Sequence, residues 1–68
     1  MLINNISTMI GKRKYTIAEV AKIAGVDYNT ISNLYYDKTK SISFETLNKL
    51  CYALECTPND LFLYVEND

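Results

Sequence analysis

The chain has 68 residues, 49% of them hydrophobic, with seven Lys or Arg against eight Asp or Glu, no histidine and a net charge of −1. That length allows one domain spanning residues 1–68, and a domain of this size buries only about 60% of the surface its unfolded chain exposes, so it depends on local packing. High apolar content at low net charge excludes a disordered chain, no stretch approaches the ~18 apolar residues of a membrane span, and the near-zero charge argues at first sight against a nucleic-acid partner.

The N-terminus lacks a basic region, and Asn4, Asn5, Ser7 and Thr8 interrupt any apolar run. No secretory signal is therefore expected, and the expected location is the cytoplasm. Apolar residues recur at helical spacing and almost nowhere alternate, which predicts an all-α chain of five short helices and no sheet. The first helix is expected from about Leu2 to Ile10, with Leu2, Ile6, Met9 and Ile10 on one stripe. Gly11 and the basic run Lys12-Arg13-Lys14 should end it, cations suiting the negative end of the helix dipole.

Thr16 is the expected N-cap of the second helix, with Glu19 as its capping-box partner. Ile17, Val20, Ala21 and Ala24 form its apolar face, and Gly25 should close it in a left-handed conformation. Asp27 then caps a third helix, Tyr28 to about Tyr36. Only Gly25 and Val26 separate the two, the short connection of a helix-turn-helix over about residues 16–36. A polar loop from Asp37 to Ile42 carries Lys38 and Lys40. Ser43 caps the fourth helix, whose stripe of Phe44, Leu47, Leu50, Cys51 and Leu54 should face the core. Thr57-Pro58-Asn59-Asp60 opens the fifth helix with a cap, a proline at N1 and an acid at N3. Leu61, Phe62 and Val65 are its apolar residues, and Glu66-Asn67-Asp68 should fray.

The two cysteines, Cys51 and Cys56, are expected on different helix faces as small buried hydrophobes in a reduced compartment. No third thiol or histidine completes a zinc site, so no metal is expected. Without histidine, a phosphate-binding glycine loop or a nucleophile motif, the composition also argues against an enzyme, and no cofactor is expected.

On a helical wheel the third helix turns Ile31 and Leu34 inward and Asn29, Ser32, Asn33 and Tyr36 outward, while Tyr28 projects from its N-terminal end. The outward set holds only amides, hydroxyls and phenols. An Asn side chain donates and accepts together and so matches adenine N6 and N7 in the major groove, a pairing worth about 1–3 kcal/mol of discrimination. Charge is divided along the chain. Residues 1–40 carry Lys12, Arg13, Lys14, Lys22, Lys38 and Lys40 against Glu19, Asp27 and Asp37, a net +3. Residues 41–68 carry Lys49 against Glu45, Glu55, Asp60, Glu66 and Asp68, a net −4. Such asymmetry points to a nucleic-acid face on the basic half. Lys14, in the basic run just before the second helix, is a candidate for contact with the phosphate backbone; the same run also serves as a solvated helix end.

Thr16-Ile17-Ala18-Glu19-Val20-Ala21, Ala24-Gly25-Val26-Asp27, Thr30-Ile31-Ser32, Ser43-Phe44-Glu45-Thr46-Leu47 and Leu54 with Pro58-Asn59-Asp60-Leu61-Phe62 together resemble the Cro/C1-type helix-turn-helix family, also called lambda-repressor-like or XRE. The resemblance covers roughly Ile6 to Val65. It implies a five-helix DNA-binding domain of transcriptional regulators, a homodimer on a palindromic double-stranded operator, with repression as the expected outcome. By position it implies base contacts from Tyr28, Asn29, Ser32 and Asn33. Backbone contacts are implied for Thr16, Lys38 and Lys40, and the phenol of Tyr36 suits a base or a phosphate. Two departures stand out. Ile17 occupies a position where the family often has a supporting Gln, and Asp37 replaces a glycine common after the recognition helix. These departures leave open a protein-interaction module or antitoxin-like partner on the same scaffold. Leu63 and Tyr64 lie in an apolar C-terminal run that either closes the core or forms a dimer interface.

Overall fold

The computed structural model describes residues 1–66; Asn67 and Asp68, part of the expected frayed tail, lie outside the described residues. The chain runs β1 (Leu2–Asn4), α1 (Ile6–Lys12), α2 (Ile17–Ala24), α3 (Tyr28–Tyr35), α4 (Phe44–Leu54), α5 (Pro58–Leu61) and β2 (Phe62–Tyr64). The five expected helices are present and dominate the fold. The expectation of no sheet is corrected: β1 and β2 pair antiparallel, Leu2 opposite Tyr64, Ile3 opposite Leu63 and Asn4 opposite Phe62.

The first helix therefore begins at Ile6 rather than Leu2, and the reason is local. The Asn4 side chain accepts the Ile6 N–H through Oδ1 at 2.9 Å and the Asn5 amide donates to the Asp60 carbonyl at 3.0 Å. The Asn5 backbone N–H donates to the Leu61 carbonyl at 2.8 Å. Such local and cross-chain bonds compete with a continuing helix ladder. The fifth helix is correspondingly one turn long. Aromatic and branched residues from Phe62 to Val65 fit an extended strand better than a frayed helix end, and the Val65 N–H closes the ladder on the Met1 carbonyl at 2.8 Å.

Every helix contributes to one core: Ile6 and Ile10 from α1, Val20 and Ala21 from α2, Ile31 and Leu34 from α3, Leu50 and Leu54 from α4, and Leu61 from α5. The largest of these are essentially inaccessible, and full burial of each such side chain contributes about 1.5–3 kcal/mol. Phe44 is not among them. It is 89% exposed, because at the first position of α4 it hangs beyond the core that Leu47 and Leu50 meet.

Helices α1 to α4 share one C-terminal closure, in which a residue with positive φ reverses the chain. The residues are Lys14 (φ 58), Gly25 (φ 69), Asp37 (φ 58) and Glu55 (φ 51). The N–H of the next residue returns to the carbonyl five positions back: Tyr15 to Ile10, Val26 to Ala21, Lys38 to Asn33 and Cys56 to Cys51, at 2.8–3.2 Å. Gly11 thus sits inside α1 and does not end it; Lys14 makes the turn. The same closure corrects the separation expected for the cysteines. Because α4 stops at Leu54 and folds back, the thiols of Cys51 and Cys56 meet, and burial first, then this neighbour, pushes the Cys56 thiol up to about 11.

Candidate nucleic-acid interface

The two motif helices are defined by side chains the sequence places at their ends. Thr16 and Glu19 form a full capping box: the Thr16 N–H donates to Glu19 Oε1 at 2.8 Å and the Glu19 N–H to Thr16 Oγ1 at 3.1 Å. Thr16 is exposed, so its hydroxyl can still donate outward while it accepts the Glu19 N–H. Helix α2 buries Val20, Ala21 and Ala24, and the small alanines let α3 approach closely. Gly25 makes the left-handed turn, Val26 packs half-buried on the core, and Asp27 caps α3 by accepting the Asn29 N–H at 3.0 Å.

Helix α3 buries Ile31 and Leu34. Asn29, Thr30 and Asn33 are exposed and Ser32 is half-buried. Tyr28 and Tyr36 are 52% and 58% exposed at opposite ends of the helix. The wheel reading of this face thus matches the observed burial at Asn29, Asn33 and Tyr36, while Ser32 is partly covered. Tyr36 stacks edge-on against Tyr35 at 4.9 Å between centroids, and the Lys38 ammonium lies 5.7 Å from the Tyr36 ring centre. That contact holds a cation at the C-terminal end of the helix. Lys40 is exposed in the following loop and Lys14 at the end of α1. Arg13, by contrast, is engaged: its guanidinium pairs with the Glu55 carboxylate at 3.3 Å and donates to the Glu55 carbonyl at 3.2 Å.

The two departures have structural accounts. Ile17 is half-buried against the core, so that position serves packing. Asp37 occupies the left-handed residue that closes α3, a conformation Asp tolerates better than most residues.

The sequence reading missed part of this surface. Thr30 and Asn33 share a shallow cleft with Ser43 and Thr46 at the start of α4. Ser43 caps that helix by accepting the Thr46 N–H at 3.1 Å, and its hydroxyl donates to the Thr46 hydroxyl at 2.9 Å. The Ser-x-x-Thr spacing after the polar loop was the available signal. Leu63 and Tyr64 lie on β2, away from α3 in sequence and exposed, Tyr64 at 75%. Among the described residues no helix is long and apolar enough to cross a membrane.

Comparison with known proteins agrees with this fold. A family model for the Cro/C1-type helix-turn-helix DNA-binding domain matches residues 5–67. The uncharacterized HTH-type transcriptional regulator YozG of Bacillus subtilis (strain 168) is 38% identical over 63 residues, which span 93% of this chain and 75% of that protein. The crystal structure of a candidate DNA-binding protein from Bacteroides fragilis superposes with a TM-score of 0.76 at 27% identity, covering 91% of this chain and 98% of the other. The chain belongs to the Cro/C1-type helix-turn-helix DNA-binding family of transcriptional regulators.

Proposed function

We propose that the protein is a sequence-specific regulator, a cytoplasmic repressor that acts as a homodimer and reads the major groove with α3. The observation that carries the reading is the exposed face of α3, polar and free of charge, on a helix anchored by buried Ile31 and Leu34. Tyr28, Asn29, Ser32 and Asn33 read base edges, and Asn29 and Asn33 supply the donor–acceptor pairs that adenine requires. Lys14, Thr16, Tyr36, Lys38 and Lys40 hold the phosphate backbone and fix the register without reading sequence. Leu63 and Tyr64 join two copies, supported by their exposure on a strand with one unpaired edge. Strand edges of this kind template pairing with another chain.

A second reading, a protein partner on the same scaffold, is favoured by one observation. Phe44 and Tyr52, eight residues apart on α4, are 89% and 78% exposed. Selection of bound duplexes from a random DNA library separates the two. A palindromic consensus, with half-sites one turn of B-DNA (about 34 Å) apart, supports the regulator; enrichment of no sequence supports the protein-partner module.

A further inference from the structure

The C-terminal end of α3 is held by a residue outside the helix-turn-helix. Asn4 Nδ2 donates to the Leu34 carbonyl at 2.7 Å and lies 3.4 Å from Asp37 Oδ1, while Asn4 Oδ1 accepts the Ile6 N–H at 2.9 Å. One half-buried amide therefore joins three elements. Its backbone belongs to β1, opposite Phe62 of β2. Its oxygen starts α1. Its nitrogen meets the carbonyl that also accepts the Asp37 N–H in the turn closing α3.

We infer that Asn4 is a positioning residue for DNA reading, which ties the strand pair to the recognition helix and fixes its tilt. The inference rests on the reading of α3 as the base-contacting helix. The physical need is plain. Helix α3 has eight residues, so it is about 12 Å long. Its buried anchors, Ile31 and Leu34, with half-buried Tyr35 beside them, hold it by apolar packing, which is non-directional and does not by itself fix a tilt. A directional hydrogen bond at the C-terminal end does. A tilt of roughly 10° moves Asn29 by about 1 Å relative to Leu34, given a rise of 1.5 Å per residue, and bidentate base contacts do not survive such a shift. The Asp37 carboxylate beside the Asn4 amide gives the aspartate at this left-handed position a partner that a glycine would lack.

Two substitutions separate holding α3 from starting α1. Asn4→Ser keeps a hydroxyl that caps the Ile6 N–H but is too short to reach the Leu34 carbonyl. Asn4→Asp keeps the acceptor at full length and removes the donor. Each is compared with the parent and with Asn33→Ala at a temperature where circular dichroism shows all four folded. Binding is measured on the duplex recovered by selection and on a scrambled duplex of the same composition. Amide exchange of Tyr36, Asp37 and Lys38 is measured without DNA. The expected result for Asn4→Ser is a tenfold or greater loss of preference for the selected duplex, with scrambled-duplex affinity within twofold of the parent. Those three amides should exchange at least tenfold faster while amides of α4 keep their protection. Unchanged preference and unchanged exchange in both Asn4 variants would overturn the inference. If Asn33→Ala keeps full preference, the base-reading assignment of α3 has failed; the exchange measurement then still decides whether Asn4 holds the helix end.

Discussion

Asp60 shows how a single side chain both starts an element and makes it sensitive to pH. Its carboxylate accepts the Thr57 N–H at 2.9 Å and the Thr57 hydroxyl at 3.1 Å, and those bonds hold its pKa below the usual carboxylate range. A group depressed in the folded state contributes stability above its unfolded pKa and loses it as pH falls. Asp60→Asn should therefore flatten the loss of stability below about pH 4, as read by urea titration across pH. The opposite sign applies to Cys56, whose thiol is pushed up to about 11 from 9.0. Its contribution is complete below pH 9 and is lost as pH rises from 9 to 11. The thiolate is scarcer at neutral pH but more nucleophilic when formed, so iodoacetamide should label Cys56 about tenfold more slowly in the folded protein than in urea. Labelling at equal rates would show that the thiol is not held protonated.

At the scale of elements, the shared closure of α1 to α4 yields a sharper test. A non-glycine residue in the left-handed region costs roughly 1–2 kcal/mol relative to glycine, offset in part by the greater chain entropy that glycine loses. Lys14→Gly should raise stability by about 0.5–1 kcal/mol in denaturant unfolding. By the proposed role of Lys14, it should also weaken binding to any duplex and reduce the salt slope by about one. The starts of α2 to α5 were legible in the sequence, because Thr16 with Glu19, Asp27, Ser43 and Thr57-Pro58 each carry a local chemical reason for their place, as was the end of α2 at Gly25. The left-handed ends at Lys14 and Glu55 were not, since nothing in a lysine or a glutamate announces positive φ; at Asp37 the tolerance of aspartate for that region was a weak signal. The strands were hidden for a different reason. Three residues show no usable period, and the partner of Leu2 is Tyr64, at the other end of the chain. Phe44 misled because stripe arithmetic cannot tell a core position from one that overhangs the end of the helix.

At the scale of the whole molecule, the core is small and drawn from every helix, so no helix is dispensable. Leu61→Ala, in the one-turn α5, should cost about 2–5 kcal/mol, a large part of the stability of a domain this size. The net charge of −1 no longer argues against DNA once the chain is divided, since the basic half contains the helix-turn-helix. The candidate interface was legible where it depends on one helix wheel, and illegible where α4 adds Ser43 and Thr46 beside Asn33 or where Asn4 reaches Leu34 from thirty residues away. Tyr64→Glu places a charge on each copy at the proposed two-fold contact. It should yield a monomer in sedimentation and reduce binding to a full palindrome far more than binding to one half-site.

The central claim, that the polar face of α3 reads bases while lysines around it hold phosphate, is tested most directly by one salt titration. Binding of the parent, Asn29→Ala and Asn33→Ala is followed on the selected and the scrambled duplex. Each Asn→Ala change should lower affinity for the selected duplex about tenfold, in keeping with 1–3 kcal/mol per base contact. Scrambled-duplex affinity and the slope of log K against log salt should stay unchanged. Equal affinity of all three proteins for the selected duplex would contradict the account.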